Sequence, residues 1–390
     1  MPLLSEADLR RLVGRLAAIS RGSASPGERE AAELIAEDLR GAGARARTEE
    51  EPAHGTYWWP LGLLMGASAL AGVAHGRLWG LVGAGAAAAA ADDITAGSLW
   101  FRRRFLPMRN TVNVVAEVGP ADAERAAVFV AHHDAAHSGL VFHPALPRAF
   151  ARRFPKLHER TNTTPPAMWG VVGGPLAVAL GALTGSRRLR GIGTFLCAGY
   201  AAAMVDIGTR GVVPGANDNL TGVAVLSSLA HALRDSPPAN LRVILVSTGS
   251  EESFMEGMQG FAKRHFGSLP TDRTHVVCVD SVGSPHLVVL EGEGMLRMNE
   301  YPKDLLGLLK GLADELDLFL YPNLRLRNAT DGLVALKAGY PTAALTSVDE
   351  LKAPSNYHWP TDTAENVLYG TVNDAARLCE SLVRALARAG

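Results

Sequence analysis

Six side chains, His132, Asp218, Glu251, Glu252, Asp280 and His358, each stand in a short polar motif that interrupts a chain otherwise rich in apolar residues, glycine and alanine. Carboxylate oxygens and neutral imidazoles are donors that zinc takes, and this set holds enough of them for two ions and a base. Ala131-His132-His133-Asp134 ends an apolar run. The period of two puts His132 and Asp134 on one side of a strand and His133 on the other, so Asp134 can orient the His132 ring by taking its second N–H. Asp218, in Pro214-Gly215-Ala216-Asn217-Asp218-Asn219, reads either as a helix N-cap or as a carboxylate whose two oxygens are shared between two cations. Glu251 and Glu252 follow the strand-like LRVILVS. Adjacent carboxylates there repel unless a cation compensates, and one of them could bind metal while the other takes a proton from an activated water.

Asp280 closes HVVCVD, at the carboxyl edge where open α/β sheets build their sites. His358 lies in Tyr357-His358-Trp359-Pro360-Thr361-Asp362-Thr363, ahead of a C-terminal helix that Thr361 or Asp362 could cap. Taken singly, each motif has a bland reading: a chance HxD, a helix cap, a surface Glu-Glu pair. All of them at successive strand ends point to one site.

The elements that must carry them alternate. Strand candidates are residues 111–118, 127–131, 241–247, 275–280, 286–290 and 342–346. Helix candidates are 5–20, 26–41, 219–233, 256–266, 302–316, 331–338 and 364–388. The helix over 26–41 has Ser25 as N-cap, Pro26 in its first turn and Glu28 three residues after the cap. Several strands are continuous apolar runs, as in a sheet buried on both faces. The predicted fold class is therefore α/β, a mixed, mostly parallel sheet sandwiched by helices.

Two inserts break that pattern. Residues 57–74 and 78–91 are uncharged around His75-Gly76-Arg77, and 165–185 and 191–205 are uncharged around the basic run Ser186 to Arg190. They read as two hydrophobic helical hairpins. The organisation expected is one α/β body over 1–56, 101–164 and 209–390, interrupted by hairpins at 57–100 and 165–208. Runs near 20 apolar residues suit a bilayer, whereas the alternative is a water-soluble helical cap or dimer interface. Trp58, Trp59, Trp79, Trp100 and Trp169 lie near the ends of these runs, as interface aromatics do. A multi-pass membrane protein is expected, with arginines such as Arg102, Arg103 and Arg104 favouring a cytoplasmic body and the loops carrying Arg77, Arg187, Arg188 and Arg190.

The 390 residues carry 38 basic and 39 acidic side chains, a formal charge of −1, which argues for no nucleic-acid partner. Cys197, Cys278 and Cys379 are far apart in apolar contexts and read as buried thiols, not as a disulfide framework or a CxxC knuckle. The amphipathic start, with Ser5, Glu6, Asp8 and Arg10, lacks the pattern of a cleaved signal peptide.

At these motifs the chain resembles the M28 family of co-catalytic zinc aminopeptidases, over roughly residues 25–55 and 110–388. AHxD matches Ala131 to Asp134, GANDNxxG matches Gly215 to Gly222, the Glu-Glu pair matches Glu251 and Glu252, the strand-end Asp matches Asp280, and YHxPxDT matches Tyr357 to Thr363. The resemblance implies two zinc ions. His132 and Asp280 would bind one, Glu252 and His358 the other, Asp218 both, with Glu251 as general base and Asp134 as the acid orienting His132. It implies hydrolysis of peptides with a free N-terminus. The chain departs from the family in the long insert between Asp134 and Asp218, in His133 where an aromatic is usual, and in Gly332 where relatives often have histidine. A single-zinc glutaminyl cyclase-like enzyme and a non-catalytic membrane scaffold are the alternatives. A transporter is disfavoured because no charge lies mid-span.

Overall fold

Valine-rich runs, which fit a pleated surface covered on both sides, assemble into one sheet in the computed structural model, which describes residues 3–74 and 76–388. His75, in the turn of the first predicted hairpin, lies outside the described residues. The strands are β1 (Arg45–Ala53), β2 (Arg109–Val118), β3 (Ala126–His132), β4 (Arg242–Thr248), β5 (Thr274–Val279) and β6 (His286–Val289). A small second sheet of β7 (Gly292–Glu293), β8 (Asn299–Glu300) and β9 (Arg325–Leu326) follows, and β10 (Thr342–Val348) returns to the main sheet. The main order is β1-β2-β4-β3-β5-β10-β6. Strands β4, β3, β5 and β10 run parallel at its centre, and β1, β2 and β6 are antiparallel at the edges. The α/β sandwich expected from sequence is the fold.

The helices are α1 (Glu6–Ala17), α2 (Pro26–Gly41), α3 (Trp58–Val73), α4 (Trp79–Ile94), α5 (Trp100–Phe105), α6 (Ala145–Arg153) and α7 (Pro155–Arg160). They continue with α8 (Trp169–Thr184), α9 (Arg187–Thr209), α10 (Thr221–Leu233), α11 (Glu256–His265), α12 (Lys303–Glu315), α13 (Gly332–Lys337) and α14 (Tyr369–Arg388). Alternation along the strands sends Val114, Phe129 and Leu245 into one core under α1, α2, α10, α12 and α14. It sends Val128, Val130 and Val246 into a second core shared with Met258 and Phe261 of α11 and with Trp58 and Leu61 of α3.

Four sequence expectations shift at their edges. Strand β1 was not foreseen because it is polar: Glu49 and Glu51 are buried by pairing with His265 and Arg264 rather than by apolar contact. The helix expected from 219 begins at Thr221, after a distorted turn over Ala216–Leu220, and the one expected from 364 begins at Tyr369 after a short 3-10 turn. Arg187, Arg188 and Arg190 are not in a loop but in the first turns of α9, whose N-cap Ser186 accepts from Leu189 N–H.

The apolar inserts pack on one another, α3 against α9 and α4, and α8 against α9 and α4. Their foot is tied to the body by a buried ion pair. Arg102 donates to both oxygens of Asp93 at 2.8 and 2.9 Å and to the Ser253 carbonyl at 2.8 Å, and lies 3.4 Å from Glu256. Removing one partner of a fully buried pair strands the others, so Arg102→Met should lower unfolding stability by about 3–5 kcal/mol. Arg103→Met, at an exposed position, should change it by less than about 0.5 kcal/mol. Denaturant unfolding of the two variants checks this.

Candidate metal centre

Strands β3, β4 and β5 end together, and each ending delivers part of the site. His132 is the last residue of β3 and pairs in register with Thr248 at the end of β4. Three residues beyond Thr248 come Glu251 and Glu252, and Asp280 follows β5 directly. Asp218 arrives on the turn between α9 and α10, and His358 on the turn before α14, at a left-handed φ of +50°.

Asp218 stands between the two imidazoles. Its Oδ1 is 3.2 Å from His132 Nε2 and its Oδ2 is 3.3 Å from His358 Nε2. His358 Nε2 is also 3.2 Å from Glu252 Oε2, and His132 Nε2 is 3.9 Å from Asp280 Oδ2 and 4.0 Å from Glu251 Oε2. Donor atoms of His132, Asp218 and Glu252 all lie within 4.8 Å of one another. His132 Nδ1 faces the Asp134 carbonyl at 3.1 Å and its Oδ1 at 3.3 Å, which turns Nε2 toward the centre. Asp218 Oδ2 and Glu252 Oε1 are buried without a hydrogen-bond donor. Buried carboxylate oxygens with no donor of their own, in a cluster with imidazole nitrogens, are what a cation site requires, so the residues fit zinc.

Each turn is fixed by a buried polar group. Asp134 accepts Ser23 Oγ–H at 2.6 Å and the backbone N–H groups of Glu251 and Glu252 at 3.0 and 3.1 Å, so the residue that orients His132 also positions the glutamate pair. Asn219 joins the Asp218 turn to the end of β5: its amide donates to Val279 O, and its oxygen accepts from Gly222 and Ser281 N–H. Arg21 donates to the carbonyls of Leu16, Ile19, His133, Pro214 and Gly215, clamping the β3 end to the Asp218 turn. Gly215 has φ +58°, and a Cβ there would stand 2.9 Å from Arg21 Nη2. Only glycine meets both demands.

The structure brings together every residue singled out from the motifs, and it corrects two minor readings. Asp218 caps no helix, and Asp362 is not a cap for α14: its carboxylate accepts from Asn217 and Asp218 N–H. His133 points the other way, onto Ser247 Oγ at 2.9 Å, where burial drives its pKa down to about 3 and keeps it neutral. Sequence reasoning missed Arg21, Glu28 and Asp331. Glu28, read as part of a capping motif, instead accepts from Ala24 and Val112 N–H, Thr111 Oγ–H, and Ser250 N–H and Oγ–H beneath the glutamate pair. Asp331 accepts from Thr248 Oγ–H. The only signal for these was their place beside Gly or Ser in polar turns.

Residues 205–383 match the model of peptidase family M28. Over that segment the chain is similar to peptidase family M28. The match takes in Asp218, Glu251, Glu252, Asp280 and His358, and His132 and Asp134 precede it. No curated protein matches the chain. Among solved structures, a Zn-dependent exopeptidase from Parabacteroides distasonis is similar in fold, with 11% identity, a TM-score of 0.58 and 98% of each chain covered. An aminopeptidase from an Aneurinibacillus strain has 13% identity and a TM-score of 0.56 over 97% of this chain and 93% of its own. A Bacteroides thetaiotaomicron glutaminyl cyclase bound to N-acetylhistamine has 12% identity and a TM-score of 0.58 over 98% of each. At these identities the likeness is one of fold.

Charge in this centre is unbalanced. Burial by itself lowers a histidine pKa, but Asp134, Asp218, Glu251 and Asp280 hold His132 well above its usual value, and Glu252 with Asp218 raise His358 to about 10. Burial, added to by neighbouring carboxylates, pushes Asp280 to about 6 and Asp331 and Asp362 to about 7, and Glu251 well above the ordinary range. Asp218, despite burial, is held low by the two imidazoles. Through these groups the metal-free folded state holds protons that the unfolded chain has released, so their contribution to stability falls as pH rises toward 10. His133, which burial keeps neutral, acts oppositely only below its usual 6.5, and Asp218 and Asp134 only near and below their ordinary pKa of 3.8. The chelator-treated protein should therefore melt at a lower temperature at pH 8.5 than at pH 5.5, and added zinc should raise the melting temperature more at pH 8.5. Equal melting temperatures at the two pH values without metal would contradict this account.

Proposed function

We propose that the chain is an aminopeptidase working with two zinc ions, one held by His132 and Asp280, the other by Glu252 and His358, with Asp218 between them. The observation that carries this reading is Asp218 itself, whose two oxygens face two different imidazoles at 3.2 and 3.3 Å. Bound there, zinc supplies a Lewis acid for a peptide carbonyl and lowers the pKa of water.

The chain's own residues do the rest. Glu251 and Asp280 are the more exposed carboxylates, with 11% and 14% of their side chains accessible, and so border the opening to the centre. Burial among Asp331, Glu252 and Asp280 makes the Glu251 carboxylate ready to take a proton and hold it, as a general base must before passing it to the leaving amine. Asp134, through the backbone N–H groups it accepts, keeps Glu251 and Glu252 pointing inward. The surplus of carboxylates over cations favours a positively charged group at the mouth, which supports a substrate with a free, protonated N-terminus.

Glu251→Gln should retain about two zinc ions per chain while cleavage of free-amine peptides falls to background. A Glu251→Gln protein with wild-type turnover would overturn the assignment. The equal TM-scores of the exopeptidase and the glutaminyl cyclase keep a cyclase reading as second. It would be favoured if the protein bound one zinc and converted N-terminal glutamine peptides to pyroglutamate without cleaving a panel of free-amine peptides.

A further inference from the structure

A four-helix bundle stable in water turns its large apolar side chains inward and its polar ones outward. The unit formed by α3, α4, α8 and α9 departs from that pattern. Beside buried Leu61, Met65 and Val178, its helices come close through small residues: a Cβ on Gly72 would clash with Thr194 Oγ1, one on Gly83 would lie 2.7 Å from Pro175 O, and one on Gly193 2.6 Å from Val178 N. Leu70 of α3, Leu81 of α4, Leu180 of α8 and Phe195 of α9 face outward, with exposures from 52% to 79%. Each of the four helices contributes, so the apolar surface surrounds the unit, and a single partner docking on one side would leave most of it bare. Glycine-mediated contact inside with leucine and phenylalanine outside is the pattern of helices packing in hydrocarbon.

Charge and aromatic residues are sorted to the two ends. Helices α3 and α8 carry no charge, α4 has only Asp92 and Asp93 in its last turns, and α9 has Arg187, Arg188 and Arg190 at its start and Asp206 near its end. Trp59, Trp100 and Trp169, each about half exposed, ring the end next to the body, and Trp79 marks the far end with Arg77. Helix α9 is long and apolar enough to cross a bilayer. Helices α3, α4 and α8, with 16 residues each, are about 24 Å long. Local thinning and the flanking tryptophans and arginines accommodate that shortfall. A cavity of about 310 Å³ at the foot of α3, walled by Trp59, Leu63 and Leu106 with Arg109 beside them, suits an acyl chain near its headgroup.

The segment that leads into α8 continues this surface. Helices α6 and α7 bury no residue. They expose Leu146, Phe150, Phe154 and Leu157 beside Arg148, Arg152, Arg153, Lys156 and Arg160, the composition of a helix lying in a headgroup layer. Just before them Phe142 meets the His358 ring edge-on at 4.5 Å, and Trp58 at the foot of α3 packs at a tilt against His137, 4.2 Å between ring centres.

We propose that α3, α4, α8 and α9 are embedded in a lipid bilayer with α6 and α7 in its headgroup layer, so that the metal centre opens at the membrane surface. The inference does not depend on catalysis. Its test uses the full chain reconstituted in vesicles of phosphatidylcholine and phosphatidylglycerol carrying bromine either deep or shallow in the acyl chains. Three variants that each add one cysteine at an exposed position, Phe195→Cys, Phe150→Cys and Asp314→Cys, receive an environment-sensitive fluorophore, and the three native cysteines are buried. The label at 195 should lose at least half its emission to deep bromines, that at 150 should be quenched more by shallow than by deep bromines, and that at 314, on α12 of the body, should respond to neither. An unquenched label at 195, including the case in which a second copy covers that face, would overturn the embedding. A quenched 195 with an unquenched 150 would overturn the headgroup placement of α6 and α7.

Discussion

Crowded negative charge is the constraint on which the rest of the structure depends. Asp134, Asp218, Glu252, Asp331 and Asp362 are buried at one sheet edge with Glu251 and Asp280 at their rim, and the cations among them are Arg21 and two imidazoles. Carboxylates so close cannot all ionise without further positive charge. The protein contains the repulsion by giving the outer acids backbone donors: Asp134 takes two N–H groups from the Glu251 turn, and Asp362 takes two from the Asp218 turn. Asp218 and Glu252 are left with oxygens that no donor satisfies. The acids that are satisfied hold the turns, and those that are not face the centre.

The same chain packs in two ways. Its α/β body hides apolar side chains on both faces of a sheet, whereas the inserted helices, beside a core that includes Leu61, Met65 and Val178, leave Leu70, Leu81, Leu180 and Phe195 exposed. The joint between these regimes is polar and buried: Arg102, Asp93 and Glu256 form one network, and Glu256 also accepts from His54 and Gly55 N–H and from Ser253 Oγ–H. Ser253 directly follows the glutamate pair. The foot of the helical unit and the wall of the metal centre are therefore joined by one hydrogen-bonded layer.

Much of this was legible in the sequence, for physical reasons. Apolar strands ending in acids or histidines reveal both the strand and its functional end, so His132, the Glu251-Glu252 pair and Asp280 could be placed from residue type and period alone. Uncharged runs of Gly and Ala likewise show where the inserted helices lie. What could not be read was held by long-range polar contacts. Strand β1 has no apolar period because Arg264 and His265 satisfy its buried glutamates from a helix more than 200 residues away. Arg21 looks like a surface residue until its five carbonyl partners, from three separate segments, are brought around it. Glu28 fits a local capping pattern yet serves a turn more than 220 residues on. Local patterns report local structure, and a side chain whose partners lie on other segments leaves no period to detect.

The central claim is that Asp218 joins two metal sites into one. Its most direct test is the zinc content of purified wild-type and Asp218→Ala proteins, measured by elemental analysis against protein concentration. The account predicts about two zinc ions per wild-type chain, and loss of both from Asp218→Ala while the protein stays folded by circular dichroism. One zinc in the wild-type protein, or an Asp218→Ala protein that keeps its full complement, would contradict it.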